Sequence, residues 1–349
     1  MSRALPALPT LTKCRVLVVG DLMLDEYCRG HIERISPEAP VPILSVVGRE
    51  AVLGGAGNVL QNLRALGVQA TIVSVIGEDK TGERIRGALR GLGVDVDGIV
   101  CDPGRKSTLK MRFVSVEHGQ QVFRTDEEST HGVNGTIEEK VVDLIRERSA
   151  QAQVILCSDY LKGLLSERIL QAVFQAGREF RRPVVVAPKD SSAGKYLGAN
   201  ILMPNARELA RLTGTSMNGL EWLTDSAGRL TKSLSLDALL VTRGGEGMSL
   251  FEHTENGLRR VDIATVARNV YDVTGAGDTA IAAFAAALAA GADRESAAHL
   301  ANVAAGIVVG KRGTAVATIE EIQDHLTEQE LQRPRNTQPP LAFGTASSK

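Results

Sequence analysis

The four cysteines of this 349-residue chain, Cys14, Cys28, Cys101 and Cys157, lie far apart and form no C-x-x-C pair. That spacing speaks against a disulfide framework or a zinc site and points to a reducing compartment. The six histidines include no H-x-x-x-H spacing, which leaves a histidine metal site without support. No apolar run is long enough to span a bilayer. The longest, residues 280–290, is about half of the roughly 20 residues a span needs. The opening MSRALPALPTLTK lacks the apolar segment of a signal peptide. A formal net charge of −1 gives no bulk attraction to nucleic acid or to an anionic membrane. The expectation is a cytoplasmic protein with neither a nucleic-acid nor a membrane partner.

What is present is ordinary globular material: hydrophobic residues make up 43% and charged residues 23%, enough for a buried core. Strand-length apolar runs alternate with helix-period segments from residue 15 to about 326. Residues 15–20, 71–76, 154–157, 184–187, 201–203 and 238–242 read as buried strands, and 54–66 and 81–92 as helices. The alternation predicts an α/β fold with a mostly parallel sheet covered on both faces. Residues 28–48, with Pro37, Pro40 and Pro42, and 105–125, which alternate like an antiparallel ribbon, break the pattern. They are expected to form a small β lid. A single domain over 1–327 and a structureless tail over 328–349 complete the expected organisation.

The most informative motif is YDVTGAGDT, residues 271–279, which runs straight into the alanine-rich helix. Gly275, Ala276 and Gly277 allow backbone N–H groups to converge at a helix N-terminus, where the dipole favours an anion. Asp278 then sits beside that anion, placed to accept a proton from an attacking hydroxyl. Simple dipole complementation accounts for an acid in a first turn, but not for the glycines before it. The same residues fit a loose G-x-G-x-x-A dinucleotide fingerprint, yet the next stretch is helix rather than strand, so a dehydrogenase is disfavoured. Residues 305–312 approach a phosphate-binding Walker loop but lack its first glycine and its Ser/Thr.

Three weaker elements surround this motif. Asn205 and Glu208 share a helix face, either as a capping box or as a site where Glu208 holds magnesium through water. LLVTRGGEGM, residues 239–248, is a strand ending in a glycine-rich turn where a nucleotide could approach Thr242, Arg243, Gly245 and Gly247. Near the start, Asp21 and Asp25 follow the first strand, and Gly54, Gly55 and Asn58 open the next helix. These are placed to meet sugar hydroxyls.

Taken in order, G-D-x-x-x-D, G-G-A-x-N, N-x-x-E and D-x-T-G-A-G-D-T resemble the ribokinase family of small-molecule kinases over roughly residues 13–327. The resemblance implies a ribokinase-like three-layer fold with a small β lid, ATP and Mg²⁺ as cofactors, and Asp278 as catalytic base. It also implies Asn302 among the nucleotide residues and Asp272 as a candidate ligand for a monovalent cation such as K⁺. VVGDLMLDEY, RISPEAPVPIL, LGGAGNV, CSDYLKG and AAGIVVGKRGT are similar to the bacterial kinases of D-glycero-β-D-manno-heptose 7-phosphate. Those enzymes phosphorylate the anomeric hydroxyl to the 1,7-bisphosphate for lipopolysaccharide core assembly. Many carry a C-terminal nucleotidyltransferase domain, and with so few residues after the last helix that second activity is expected to be absent.

Such a substrate needs cations, and Lys110, Arg112 and Arg124 on the ribbon and Lys189 at a strand end are expected to grip its phosphate. Around Lys189 the sequence departs from the family pattern, with Ala187 in place of an acid and Asp190 in place of glycine. The ribbon's apolar residues predict a homodimer joined through the lid. The alternatives are a ribokinase-like kinase for another sugar or nucleoside and a non-catalytic sensor of sugars or nucleotides.

Overall fold

The computed structural model describes residues 8–332 apart from His118, Leu220, Asn256 and Arg268. The chain begins with strands β1 (Arg15–Gly20), β2 (Leu22–Ile35) and β3 (Pro42–Gly55) and helix α1 (Ala56–Ala65). Next come β4 (Gln69–Gly77), α2 (Lys80–Gly91), β5 (Ile99–Asp102), β6 (Thr108–Ser115) and β7 (Gln121–Glu127). The middle holds α3 (Gly135–Ser149), β8 (Val154–Ser158), α4 (Glu167–Glu179), β9 (Val184–Ala187), β10 (Ile201–Leu202) and α5 (Ala206–Thr213). Then follow α6 (Trp222–Leu234), β11 (Ala238–Thr242), β12 (Met248–Thr254), β13 (Gly257–Ile263), α7 (Ala276–Ala289), α8 (Arg294–Val308) and α9 (Ile319–Gln332).

A nine-stranded sheet runs in the order β13-β12-β11-β10-β9-β8-β1-β4-β5. It is parallel from β11 to β5, as the βα alternation requires, and an antiparallel pair, β12 and β13, closes one edge. That pair is absent from the sequence expectation because its outer strand is largely polar, RRVDI, with little buried surface. The period of two along β1 sorts its side chains between two cores. Val16 and Val18 pack with α1, α7 and α8 on one face, whereas Leu17 and Val19 pack with α3, α4 and α6 on the other. Helix α7 is alanine-rich because it is wedged between the sheet, α1 and α8; Ala282 to Ala287 are fully buried. Larger side chains there would force these elements apart.

The second sheet has four strands in the order β3-β2-β6-β7. Pro37 and Pro40 fall in the turn between β2 and β3, and Pro42 opens β3, which is where proline is tolerated in a sheet. Strands β2 and β3 are longer than residues 28–48 suggested, because both continue into the body. Leu22, Leu24, Leu53 and Leu109 root the sheet in the main core. At the other end of the chain, residues 328–332 continue α9 where a structureless tail was expected to begin; the rest of that tail lies outside the described residues. No helix among the described residues is long and apolar enough to cross a membrane.

Candidate active site

Parallel strands end on one edge of the large sheet, and the chemistry-bearing side chains collect there. In spatial order Thr242 ends β11, Asn205 and Glu208 follow β10, Lys189 follows β9, Tyr160 follows β8 and Asp21 follows β1. Asp278 reaches the same edge from the first turn of α7, whose N-terminus no side chain caps. Tyr160, Lys189, Asn205, Glu208, Thr242 and Asp278 share one cavity of about 100 Å³. A larger hollow, about 510 Å³, lies at the opposite edge of the sheet, but Arg259 and Arg294 there already pair with Glu252.

Both oxygens of Asp278 are held. Tyr160 donates its hydroxyl to Oδ1 at 2.6 Å, and Asn58 donates Nδ2 to Oδ2 at 2.9 Å. The amide of Asn58 cannot turn freely, since Asn62 donates to its Oδ1 and Thr279 donates to Asn62 in turn. Asn58, expected to face the sugar, is therefore also a support of the Asp278 carboxylate. Gly275 must be glycine: its φ is 80°, and a Cβ there would stand 2.7 Å from Asn58 Nδ2. Burial pushes the Asp278 pKa above the usual carboxylate range, while the Tyr160 and Asn58 hydrogen bonds and the Lys189 charge pull it back. A base with raised pKa accepts a proton more readily at neutral pH.

Asp21 does something the sequence did not suggest. Its Oδ2 accepts the backbone N–H groups of Tyr160 and Lys162 at 2.9 and 3.1 Å, and its Oδ1 accepts that of Leu164 at 3.2 Å. It is 3% exposed, so it shapes the Tyr160 loop rather than presenting an oxygen to a sugar. Asp25 sits further out on β2, paired with Arg112, and Gly54 on β3 passes so close that a Cβ would meet its carboxylate at 2.3 Å. Gly55, with φ 57°, crosses Asp21 O in the same way.

Asn205 and Glu208 form the capping box in full, each side chain bonding the other's backbone N–H at 2.9 Å. The second oxygen of Glu208 accepts Lys189 Nζ at 2.7 Å, and Lys189 also lies 5.5 Å from the Tyr160 ring centre. With Ala187 in place of the expected acid, the turn that carries Lys189 is held by Tyr196. The Tyr196 hydroxyl accepts the N–H groups of Lys189 and Asp190 and donates to the buried Asp159 at 2.8 Å. Asp190 meets Lys195, the partner of Asp159, at 3.5 Å.

The nucleotide-side expectations divide. Thr242 lines the cavity, and Gly247, with φ 87°, leaves no room for a Cβ, which would stand 2.0 Å from Ile263 O. Gly245 is open to solvent. Arg243, by contrast, folds back onto Glu246 at 2.8 Å. Asn302 is 4% exposed and donates to Ala264 O at 2.7 Å, so that amide ties α8 to the segment after β13. Asp272 accepts the N–H groups of Thr274 and Gly313, bracing the loop that leads to Gly275.

Strand register gives the small sheet two unlike faces. Lys110, Arg112, Arg124 and Asp126 lie on the same face as Asp25 and Tyr27, with Arg112 directly opposite Arg124. Lys110 bonds Asp126 and Glu128, and Lys162, two residues past Tyr160, bonds Glu128 at 2.9 Å, so this face turns toward Asp278. The opposite face carries the stacked pair Phe113 and Phe123, ring centres 4.2 Å apart.

Residues 14–321 match the sequence pattern described as pfkB family carbohydrate kinase. The chain belongs to that family. It is 51% identical over 308 residues to the bifunctional protein HldE of Geotalea uraniireducens, covering 88% of this chain and 62% of that protein. It is 46% identical over 311 residues to the HldE of Citrifermentans bemidjiense, covering 89% and 63%. The chain thus spans about three fifths of the length of these curated relatives. The fold matches Arabidopsis thaliana ribokinase, solved with ribose and ATP, at TM-score 0.72 and 23% identity, over 90% of this chain and 98% of that one. It also matches Escherichia coli phosphofructokinase-2, solved with potassium, at TM-score 0.76 and 18% identity, over 91% and 99%. The solved structures show the ribokinase-like fold, and the assignment as a sugar kinase stands on the family match. Tyr160, Lys162, Asp159 and Tyr196 are the site residues that motif reading missed. The signal was present, as Asp159 and Tyr160 stand directly past the buried strand β8 at the ligand-bearing edge.

Proposed function

We propose that this chain transfers the γ-phosphoryl group of ATP to the anomeric hydroxyl of D-glycero-β-D-manno-heptose 7-phosphate. The observation that carries the reading is Asp278 at an uncapped helix N-terminus, facing a lid surface on which Arg112 and Arg124 are directly opposed. Like charges directly opposite on a sheet are unfavourable unless an anion joins them, and a guanidinium pair suits a phosphate. ATP lies along the β10–β11 end and the sugar over β1 and the lid, with Asp278 between them. The acceptor hydroxyl gives its proton to Asp278 as its oxygen bonds to the γ-phosphorus. The bond from that phosphorus to the β–γ bridging oxygen breaks, and ADP leaves with the electron pair. The N–H groups of Gly275 and Gly277 hold the charge on the moving phosphoryl group, that of Ala276 being taken by Val273 O.

Among the described residues no cluster of three or more His, Cys, Asp or Glu could hold a metal by itself. Magnesium would come with the nucleotide, and Glu208 and Asn205 would meet its waters, because Mg²⁺ keeps several waters and few protein ligands. Once bound it neutralises phosphate charge. Asp272 is where a monovalent cation would act on the Gly275 loop. We further infer a homodimer through the lid. The outer strands β3 and β7 have unpaired edges, and Val46, Val47 and Phe123 are about half exposed, at 49%, 59% and 52%.

A second reading, a kinase for an unphosphorylated sugar, has its own support: Asp25, Asp126 and Glu128 already neutralise Arg112, Arg124 and Lys110. A coupled ADP-release assay over a panel of sugars and sugar phosphates separates the two. Heptose 7-phosphate is expected to exceed plain heptose by roughly 10²–10⁴ in kcat/KM, the effect of two or three charge-assisted contacts. Equal efficiency for the two overturns the phosphate assignment.

A further inference from the structure

The loop after β8 is held far more firmly than a connection between a strand and a helix requires. Asp21 takes three of its backbone N–H groups, Asp159 takes that of Leu161 at 2.9 Å, and buried Arg105 donates to Lys162 O at 3.2 Å and His131 O at 2.7 Å. Leu161 is held at φ 56°, a left-handed conformation that side chains with a Cβ avoid and that persists where the surroundings enforce it. Its own side chain is 41% exposed, so packing of Leu161 is not what the strain serves. The residue that the loop does fix is Tyr160, whose ring lies under Lys189 and whose hydroxyl ends on Asp278 Oδ1.

We propose that Tyr160 is a positioning residue for the base, fixing which lone pairs of the Asp278 carboxylate face the acceptor hydroxyl and setting its basicity. This rests on the reading of Asp278 as base. A carboxylate has about four acceptor positions. With Tyr160 on one oxygen and Asn58 on the other, rotation of the carboxylate plane is stopped and the remaining positions are left to the cavity that Asp278 lines. Burial, followed by the Asp278 charge, keeps the Tyr160 phenol pKa well above its ordinary value. It therefore donates, rather than accepts, at every working pH. A donor favours the ionised form of its partner, so Tyr160 keeps Asp278 ionised to a lower pH than burial alone would allow. The other groups that face Asp278 are Asn58 from α1, Lys189 after β9 and Asp25 from β2, with Glu208 of α5 acting on Tyr160.

The test is Tyr160→Phe, which keeps the ring and removes only the donor, together with 3-fluorotyrosine introduced at position 160. Tyr160→Phe is expected to lower kcat about 10–100-fold, leave KM for ATP unchanged and keep the melting temperature near wild type. The acid limb of its kcat/KM profile should move to higher pH, and 3-fluorotyrosine, a stronger donor, should move it the other way. Loss of kcat with an unmoved acid limb and a lowered melting temperature would make Tyr160 merely structural and overturn the proposal. Unchanged kcat and pH profile, with Asp278→Asn inactive, overturns Tyr160 alone and leaves the base in place. Full turnover in both Tyr160→Phe and Asp278→Asn removes the base reading and this proposal with it.

Discussion

The nine-stranded sheet and the four-stranded sheet belong to one chain but are organised by different forces. In the large sheet β1, β8 and β9 are buried on both faces, and their Val, Leu and Ile side chains are sorted between two helix layers. Hydrophobic burial of about 1.5–3 kcal/mol per large side chain fixes that arrangement. Among the described residues no helix layer covers the outer half of the small sheet past its leucine root. Strand β7 is exposed along its whole length, and β3 is exposed from Ser45 to Ala51. What organises its inner face is charge: Asp25 with Arg112, Lys110 with Asp126 and Glu128, and Lys162 with Glu128. The difference teaches where specificity resides. A body built by burial tolerates little change and holds the proposed base; a lid built from exchangeable ion pairs can be re-tuned to the acceptor proposed for it.

The sharpest break of that comparison is in the body. Asp278→Asn is expected to lower kcat by ~10² or more while ATP still binds, measured by steady-state turnover and nucleotide titration. Retention of a tenth of wild-type turnover would end the base assignment. Its pH counterpart follows in sign. Asp278 must be ionised to accept a proton, and burial raises its pKa, so activity should fall as pH drops through a value above the ordinary ~3.9. The ionised form costs folding stability above that pKa, the opposite of a salt-bridged carboxylate.

Asp21→Ala would leave three loop N–H groups without their acceptor. At about 1–3 kcal/mol for each unsatisfied group, a loss of several kcal/mol in chemical denaturation is expected, with activity lost as the Tyr160 loop relaxes. A stable, active variant would show that the loop holds itself.

In the lid the effects should be smaller and selective. Arg112→Ala or Arg124→Ala is expected to lower kcat/KM for heptose 7-phosphate about 10–100-fold, with little change for plain heptose or in KM for ATP. Arg124, half exposed, should leave the melting temperature almost unmoved. Equal damage to both sugars would make these arginines part of the lid's frame. Smaller still, Glu208→Gln should raise the magnesium needed for half-maximal rate. A fall in melting temperature with the magnesium dependence unmoved would give Glu208 to its capping box alone. Finally, Val47→Lys should shift sedimentation from dimer to monomer while changing monomer stability by no more than ~0.5 kcal/mol. A wild-type chain that sediments as a monomer at micromolar concentration would remove the dimer.

Much of the body was legible in the residues themselves. Arg15–Gly20, Val184–Ala187 and Ala238–Thr242 are strands with the bounds that their apolar runs and closing residues gave. Asp278 was legible too, because glycines immediately before an acid at a helix start leave a local trace. Burial pattern and turn chemistry are short-range, and short-range order is written along the chain. Three things were decided only by tertiary structure. Asp21 faces a loop 139 or more residues away in sequence, Tyr160 meets Asp278 across 118, and Asn58 meets it across 220. None of these partners can be read from spacing, because it is the strand order β8-β1-β4 and the seating of α7 beside α1 that bring them together. The role of a polar side chain depends on which donors surround it once water is gone, and that is settled only when the chain has closed on itself.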